Sequence, residues 1–115
     1  MESRDIRAFA RQLPISAQKV RLVLGLVAGK KAIEAVNILR FTPNRAAQPV
    51  RKLIYSAMAN AEENFGLDRD DLYIHRIVAD EGATRKWRRY GARGRFKPIL
   101  RRSSHVTVIL RDKAE

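Results

Sequence analysis

Residues 72–110 read LYIHRIVADEGATRKWRRYGARGRFKPILRRSSHVTVIL, and this stretch decides the fold. It begins with a pattern in which Leu72, Ile74 and Val78 are apolar between polar residues, and it ends with a similar pattern through Val106 and Val108. A period of two is typical of β-strands that bury one face. Two glycines lie midway between the two patterns. The stretch therefore predicts two antiparallel strands joined by a long hairpin.

The middle of this stretch is strongly basic. Nine of the 24 lysine and arginine residues of the chain lie between Thr84 and Arg102, and none of its 12 aspartate and glutamate residues does. The chain carries a net charge of +12, so this segment supplies +9 of it. Because like charges repel and few apolar groups oppose them here, the segment requires a polyanionic partner.

Aromatic residues are interspersed with these bases. Trp87, Tyr90 and Phe96 can stack on unpaired nucleobases while the basic side chains hold phosphates, a combination that suits irregular RNA. Seven of the nine bases are arginines, which favours bidentate phosphate contacts and stacking. If both strands continue into the segment and turn near Gly91 and Gly94, each gains about ten residues, or roughly 33 Å. A domain of this length has a radius of gyration of roughly 13 Å, so the hairpin would project beyond the body.

The first third of the chain predicts a strand and two helices. Residues 4–13 indicate a short strand. Ser16 is a candidate N-cap for a helix that keeps apolar residues at helical spacing until Gly29. A second short helix covers roughly residues 32–39.

A third helix opens at Thr42-Pro43, because threonine is a capping residue and proline fits the first helical position. It ends at Gly66. Pro49 fits poorly inside it, so the helix is either kinked there or begins only after Gln48.

We therefore predict an α+β fold in which three helices pack on a small three-stranded antiparallel sheet, and two of its strands extend as a long protruding basic β-hairpin. The chain forms a single domain, 1–115, with a globular body at about 1–82 and 103–115 and a β-hairpin arm at about 83–102. The core candidates lie in the body: Val23, Val27, Leu53, Ile54, Ala57, Ile74, Val106 and Val108.

Composition excludes several classes of protein. The chain has no cysteine, so disulfides and thiolate metal sites are excluded. No apolar run follows the first five residues, which excludes a signal peptide at this position. The most apolar stretch, Leu22–Ala28, is too short to span a bilayer. We therefore expect a protein inside the cell without a membrane partner.

No residue pattern indicates a cofactor, a metal site or a catalytic centre. His75 and His105 have no neighbouring cysteine or second histidine, and Asp68 to Asp71 indicates a polar turn rather than a calcium loop. A nuclease that uses a histidine with Asp80 and Glu81 lacks a convergent acid–base pair. We predict that the chain is not an enzyme.

Several motifs resemble those of the family of large ribosomal subunit protein twenty-two, of the bacterial type. They follow in the order of that family: Ser16-Ala17-Gln18-Lys19-Val20-Arg21-Leu22-Val23, Ile38-Leu39-Arg40-Phe41-Thr42-Pro43, Ala59-Asn60-Ala61-Glu62, Asp80-Glu81-Gly82, Ala92-Arg93-Gly94-Arg95 and Arg102-Ser103-Ser104-His105-Val106-Thr107-Val108. The resemblance implies a body on the outer surface of the large ribosomal subunit, near the exit of the nascent chain. It also implies a hairpin that threads between domains of ribosomal RNA and helps to line the exit tunnel.

The partners expected from this resemblance are large-subunit ribosomal RNA, neighbouring large-subunit proteins and the nascent polypeptide, in cytoplasmic ribosomes. We predict RNA contacts by Ser16, Lys19, Arg21, Arg85, Lys86, Trp87, Arg88, Arg89, Tyr90, Arg93, Arg95, Lys97, Arg101, Arg102, Ser104 and His105. The tunnel-facing tip is predicted to comprise Arg85, Lys86, Trp87, Arg88, Arg89, Tyr90, Gly91, Ala92 and Arg93. The alternative is an architectural DNA-binding protein that embraces a duplex with basic β-arms.

Overall fold

The computed structural model describes residues 5–83, 85–90 and 96–112, and it describes side chains in 5–83 and 102–112. The elements in chain order are β1 (Ile6–Leu13), α1 (Ala17–Leu24), α2 (Ala32–Arg40), α3 (Ala47–Phe65), a 3₁₀ turn (Arg69–Asp71), β2 (Leu72–Glu81), β3 (Arg85–Tyr90), β4 (Phe96–Arg101) and β5 (Ser104–Asp112). The predicted α+β fold, with three helices and a three-stranded antiparallel sheet, is confirmed.

The strands form two separate sheets. In the body, β5 lies between β1 and β2 and is antiparallel to both. The arm is a two-stranded sheet in which β3 pairs with β4, from Arg85 opposite Arg101 to Tyr90 opposite Phe96. The strands of the body are interrupted before the arm begins. Gly82 and Ala83 follow β2, Arg102 and Ser103 precede β5, and all four residues are in irregular conformation.

The molecule is elongated. Its principal extents are 66 × 25 × 19 Å and its radius of gyration is 17.3 Å. A compact domain of this length would have a radius of gyration of roughly 13 Å. The arm accounts for this difference, since its strands pair with each other rather than with the body sheet.

The helices cover one face of the body sheet and enclose the core. Strand β5 alternates strictly, so that Val106, Val108 and Leu110 are buried against the helices while the residues between them are half-exposed. Helix α3 supplies Val50, Ile54 and the other buried residues of its inner face. All eight core candidates predicted from the sequence are buried.

Helix α1 ends earlier than predicted. The Ser16 hydroxyl accepts a hydrogen bond from the Lys19 amide at 3.5 Å, so the predicted N-cap is confirmed. The regular helix stops at Leu24 rather than near Gly29. After Gly25 most amides bond to the third carbonyl before them, as Val27 does to Leu24 at 3.1 Å, which is the tighter 3₁₀ pattern. The tightened turn still buries Val27.

Helix α3 begins at Ala47, so the predicted start at Thr42-Pro43 is wrong. The Thr42 hydroxyl donates to the Ile38 carbonyl at 2.7 Å and therefore closes the end of α2 instead of capping α3. Pro49 is the third helical residue, a position whose amide has no partner within a helix, so the proline removes no hydrogen bond of α3 and does not delay its start. The helix ends before Gly66, as predicted, with that glycine at φ 64°.

The remaining predictions on the body concern a polar turn, metal sites and membrane spans. The Asp68 carboxylate accepts from the Asp70 amide at 3.0 Å and caps the 3₁₀ turn, which confirms the polar turn. Among the residues that the structure describes, no three histidine, aspartate or glutamate side chains converge as a metal site. No helix in that part of the chain is long and apolar enough to cross a membrane.

Candidate RNA interface

In the backbone register of the arm, basic residues occupy paired positions on the two strands. Arg85 lies opposite Arg101, and Arg89 lies opposite Lys97. Cross-strand pairs of like charge destabilise a two-stranded sheet, and a two-stranded ribbon is marginal in water without other support. The ribbon therefore gains stability from any anion that neutralises these pairs. The predicted contacts at Arg93 and Arg95, and the tip residues Gly91 and Ala92, lie outside the described residues.

The arm is joined to the body at a tight crossing of two segments. The Gly82 amide donates to the Ser103 carbonyl at 2.9 Å, and the Ser103 hydroxyl donates to the Ala83 carbonyl at 2.8 Å. A Cβ atom added at Gly82 would lie 2.5 Å from the Ser103 hydroxyl oxygen. The two segments therefore pack together so closely that only glycine fits at position 82 without a shift.

A cleft of about 810 Å³ opens beside this crossing, between the start of α1 and the arm root. Among the described residues, its lining brings together Lys19 from α1, Arg45 from the α2–α3 connection and Arg102 from the arm root, against a single acid, Glu81. Ser16 also lines the cleft at the helix start. The positive end of the helix dipole adds to these charges, so the cleft favours anions.

The structure thus places three of the predicted contacts, Ser16, Lys19 and Arg102, around one cleft. Arg45 belongs to the same cleft and was missed by the sequence analysis. It lies in an irregular connection 26 residues beyond Lys19, and no local pattern marks it, since only the tertiary fold brings that connection beside α1.

Arg21 has a structural role that the sequence did not reveal. Its guanidinium group donates to the Ala79 carbonyl from Nε at 3.1 Å and from Nη2 at 2.7 Å. This fork ties α1 to β2, and the remaining donors of Arg21 stay available for another partner.

Of the two predicted RNA contacts at the start of β5, one is buried and the other is half-exposed. Ser104 is fully buried, so the prediction that it contacts RNA is wrong. The alternation of β5 puts Ser104 on the same inner face as Val106. His105 is half-exposed, and its Nδ1 accepts from the Gln12 amide at 3.0 Å. This bond links the end of β1 to β5 where the sheet meets the arm.

Known proteins match nearly the whole chain. The model of the family described as Ribosomal protein L22p/L17e matches residues 8–111. The chain is 50% identical over 109 residues to large ribosomal subunit protein uL22 of Thermoanaerobacter sp. (strain X514), covering 95% of this chain and 98% of that protein. The uL22 protein of Thermoanaerobacter pseudethanolicus (strain ATCC 33223 / 39E) matches to the same extent. The resemblance drawn from the sequence motifs is confirmed, and the chain belongs to the ribosomal protein L22p/L17e family of the large ribosomal subunit.

Proposed function

We propose that this ribosomal protein binds large-subunit ribosomal RNA at two places, the basic arm and the cleft at its root, and thereby ties separate RNA segments together during assembly. The observation that carries the proposal is the concentration of nine basic residues, without an acidic residue, between positions 84 and 102. Six of these nine residues belong to β3 and β4, which pair with each other and not with the body sheet. Its function is structural rather than catalytic.

The arm supplies most of the electrostatic attraction. The like-charged pairs along β3 and β4 make the isolated ribbon unfavourable, whereas phosphates between them convert the repulsion into attraction. Release of counterions from RNA then drives binding, so affinity must fall steeply with salt.

The cleft supplies a second contact that is fixed to the body. Lys19, Arg45 and Arg102 converge on a space of about 810 Å³, large enough for a phosphate with part of its sugar. Because the cleft lies at the arm root, RNA held there is separated along the molecule from RNA held farther out along the arm. A protein that holds RNA at two such places sets the distance between two RNA segments.

The family supplies the finer part of the proposal. We place the arm, with the predicted tunnel-facing residues 85–93, in the nascent-peptide exit tunnel, with the body near the tunnel exit and beside neighbouring large-subunit proteins. The 66 Å length of the molecule supports this reach. The nascent polypeptide would then pass the tip.

The salt dependence of RNA binding tests the arm. If about nine phosphates are neutralised, the log–log slope of affinity against salt should approach roughly −6 to −8. Replacing Arg88, Arg89, Arg93 and Arg95 with glutamine should flatten that slope by roughly three, because four phosphate contacts are removed. A matched control replaces four bases outside the arm and the cleft, Lys30, Arg40, Arg51 and Lys52, with glutamine.

The outcome decides between the arm and a diffuse charge effect. We expect the control variant to change the slope by less than about one. Equal flattening by both variants would mean that the arm is not the binding element. Duplex DNA of the same length serves as competitor, and equal affinity for it would favour the architectural DNA-binding alternative.

A further inference from the structure

The body sheet has one face without helices. The helices cover the face that carries Ile6, Val106 and Val108, and the outward residues of β1, β5 and β2 form the opposite face. None of these outward residues lines the cleft. We call this surface the open sheet face and define its middle by Arg7, Phe9, Arg11, Arg76, Val78, Thr107 and Ile109. The pair of Asp80 and His105 flanks this middle part on one side, and the pair of Tyr73 and Arg111 flanks it on the other.

The strand register places the exposed ring of Phe9 among arginines in the middle of the open sheet face. One row across the sheet consists of Phe9, Thr107 and Val78, and the next row consists of Arg7, Ile109 and Arg76. Phe9 is 59% exposed although it lies in a paired strand. Residues two apart on a strand are separated by roughly 7 Å, so Arg7 lies close enough to flank the ring.

The arginines of this face are free to bind a ligand. Asp5 engages Arg111 at the edge of the sheet, with 2.6 Å between its Oδ1 and the arginine Nε. In the part of the chain whose side chains are described, no acid forms an ion pair with Arg7, Arg11 or Arg76. The face therefore combines an exposed ring with three arginines that form no ion pair, which outnumber the acids nearest to them, Asp5 beside Arg7 and Asp80 at the edge of the face.

This chemistry fits unpaired RNA better than a protein surface. A base can stack on Phe9 while the phosphates on either side contact arginines, which is how sheet surfaces with exposed aromatic residues hold single-stranded RNA. A protein partner that covered the ring would also have to desolvate three guanidinium groups, and the apolar part of the face is small because Val78 and Ile109 are themselves half-buried.

We propose that the open sheet face is a further RNA-binding site, which stacks an unpaired nucleotide on Phe9 and holds its neighbouring phosphates with Arg7, Arg11 and Arg76. This inference rests on the proposed function, because the RNA that would bind this face is the ribosomal RNA that we propose the arm and the cleft to hold. The body would then contact RNA on two sides, at the cleft and at the open sheet face.

Substitution of Phe9 in the full chain tests the stacking. Phe9→Leu keeps an apolar side chain without a π face, and we expect it to weaken binding to large-subunit ribosomal RNA by about fivefold or more. Phe9→Tyr keeps the ring and should bind within about twofold of the original chain. Phe41→Leu is the matched control, because Phe41 is 82% exposed and lies outside this face. Thermal melting of each variant checks that the fold is intact.

A crosslink identifies what contacts the face in assembled large subunits. We expect p-benzoylphenylalanine in place of Phe9 to crosslink to RNA, and in place of Phe41 to give no RNA crosslink of similar yield. Crosslinks from position 9 to protein alone, or equal affinity of the Phe9→Leu and Phe9→Tyr variants, would overturn the proposal. If the four-arginine arm variant loses its salt slope while Phe9→Leu binds normally, only this inference fails. If the arm variant also binds normally, the proposed function fails with it.

Discussion

Gly82 shows how one residue permits the arm to leave the body. An added Cβ would lie 2.5 Å from the Ser103 hydroxyl oxygen and 3.2 Å from His105 Nε2. Gly82→Ala must therefore displace Ser103 and weaken its 2.8 Å hydrogen bond to the Ala83 carbonyl. We expect a loss of about 1 to 3 kcal/mol in the free energy of unfolding, measured by urea denaturation.

A second substitution separates this clash from other effects of alanine. Ser103→Ala removes the hydroxyl oxygen that the new methyl group would meet. In that background Gly82→Ala should cost markedly less than in the original chain, because the two residues are in direct contact and their effects are not additive. An undiminished cost would show that the crossing at the arm root is not what requires glycine.

The ion pair between Asp5 and Arg111 gives a prediction on pH. The hydrogen bond from Arg111, followed by its charge, lowers the pKa of the Asp5 carboxyl below its usual value. A carboxylate with a lowered pKa stabilises the fold above its unfolded pKa, and that contribution is lost as pH falls through the folded pKa. In Arg111→Gln the pKa of Asp5 should rise towards its usual value, as measured by NMR titration of the carboxyl carbon.

The pair of Glu62 and Arg69 is the internal control for that titration. The hydrogen bond from Arg69 lowers the pKa of Glu62 in the same way. Glu62 lies on α3 and its partner lies in the 3₁₀ turn, so neither residue belongs to β1 or β5. Its pKa should therefore stay low in Arg111→Gln. A shift of both carboxyl groups would indicate a global rearrangement instead of the loss of one ion pair.

At the scale of elements, the sequence predicted the strands and helices better than their ends. The spacing of apolar residues fixes which segments are helical, because burial of a face is the dominant energy. The start of α3 could not be predicted, since the Thr42 hydroxyl can cap a following helix or close a preceding one. The tertiary path of the chain decides in favour of the bond to the Ile38 carbonyl.

The functional surfaces were predictable to different degrees. The arm follows from charge alone, whereas Arg45 joins the cleft only through the fold. The burial of Ser104 could have been predicted. Val106 and Val108 alternate along the inner face of β5, and the same period of two puts Ser104 on that face. The exposed Phe9 could also have been noticed, since it lies between two arginines at a period of two.

Helix α3 offers a test of the core at this scale. Leu53 is 6% exposed and packs beneath the sheet, so Leu53→Ala should lower the free energy of unfolding by about 2 to 5 kcal/mol. The neighbouring Lys52 is exposed, and Lys52→Ala should change the free energy of unfolding by less than about 0.5 kcal/mol. Equal effects of the two substitutions in urea denaturation would contradict the assignment of the buried face.

On the scale of the whole molecule, charge and core are divided between different parts of the chain. The segment from 84 to 102 carries nine bases without an acid, while the other residues carry fifteen bases and twelve acids. The buried hydrophobic side chains that the structure describes come from Ile6 to Ala79 and from Val106 to Leu110. One part therefore supplies the hydrophobic core, and the other carries most of the charge on which the proposed RNA binding depends.

This division predicts that the body folds without the arm. The Gly82 amide nitrogen lies 2.9 Å from the Ser103 carbonyl oxygen, so a short glycine-containing turn can join these two residues in place of 83–102. We expect the shortened chain to keep its helical circular dichroism and to melt in one cooperative transition, because β1, β5 and β2 still form the sheet under the helices. Its RNA binding should lose most of the salt slope, since the removed residues carry most of the net charge. A shortened chain that no longer unfolds cooperatively would show that the arm contributes to the core.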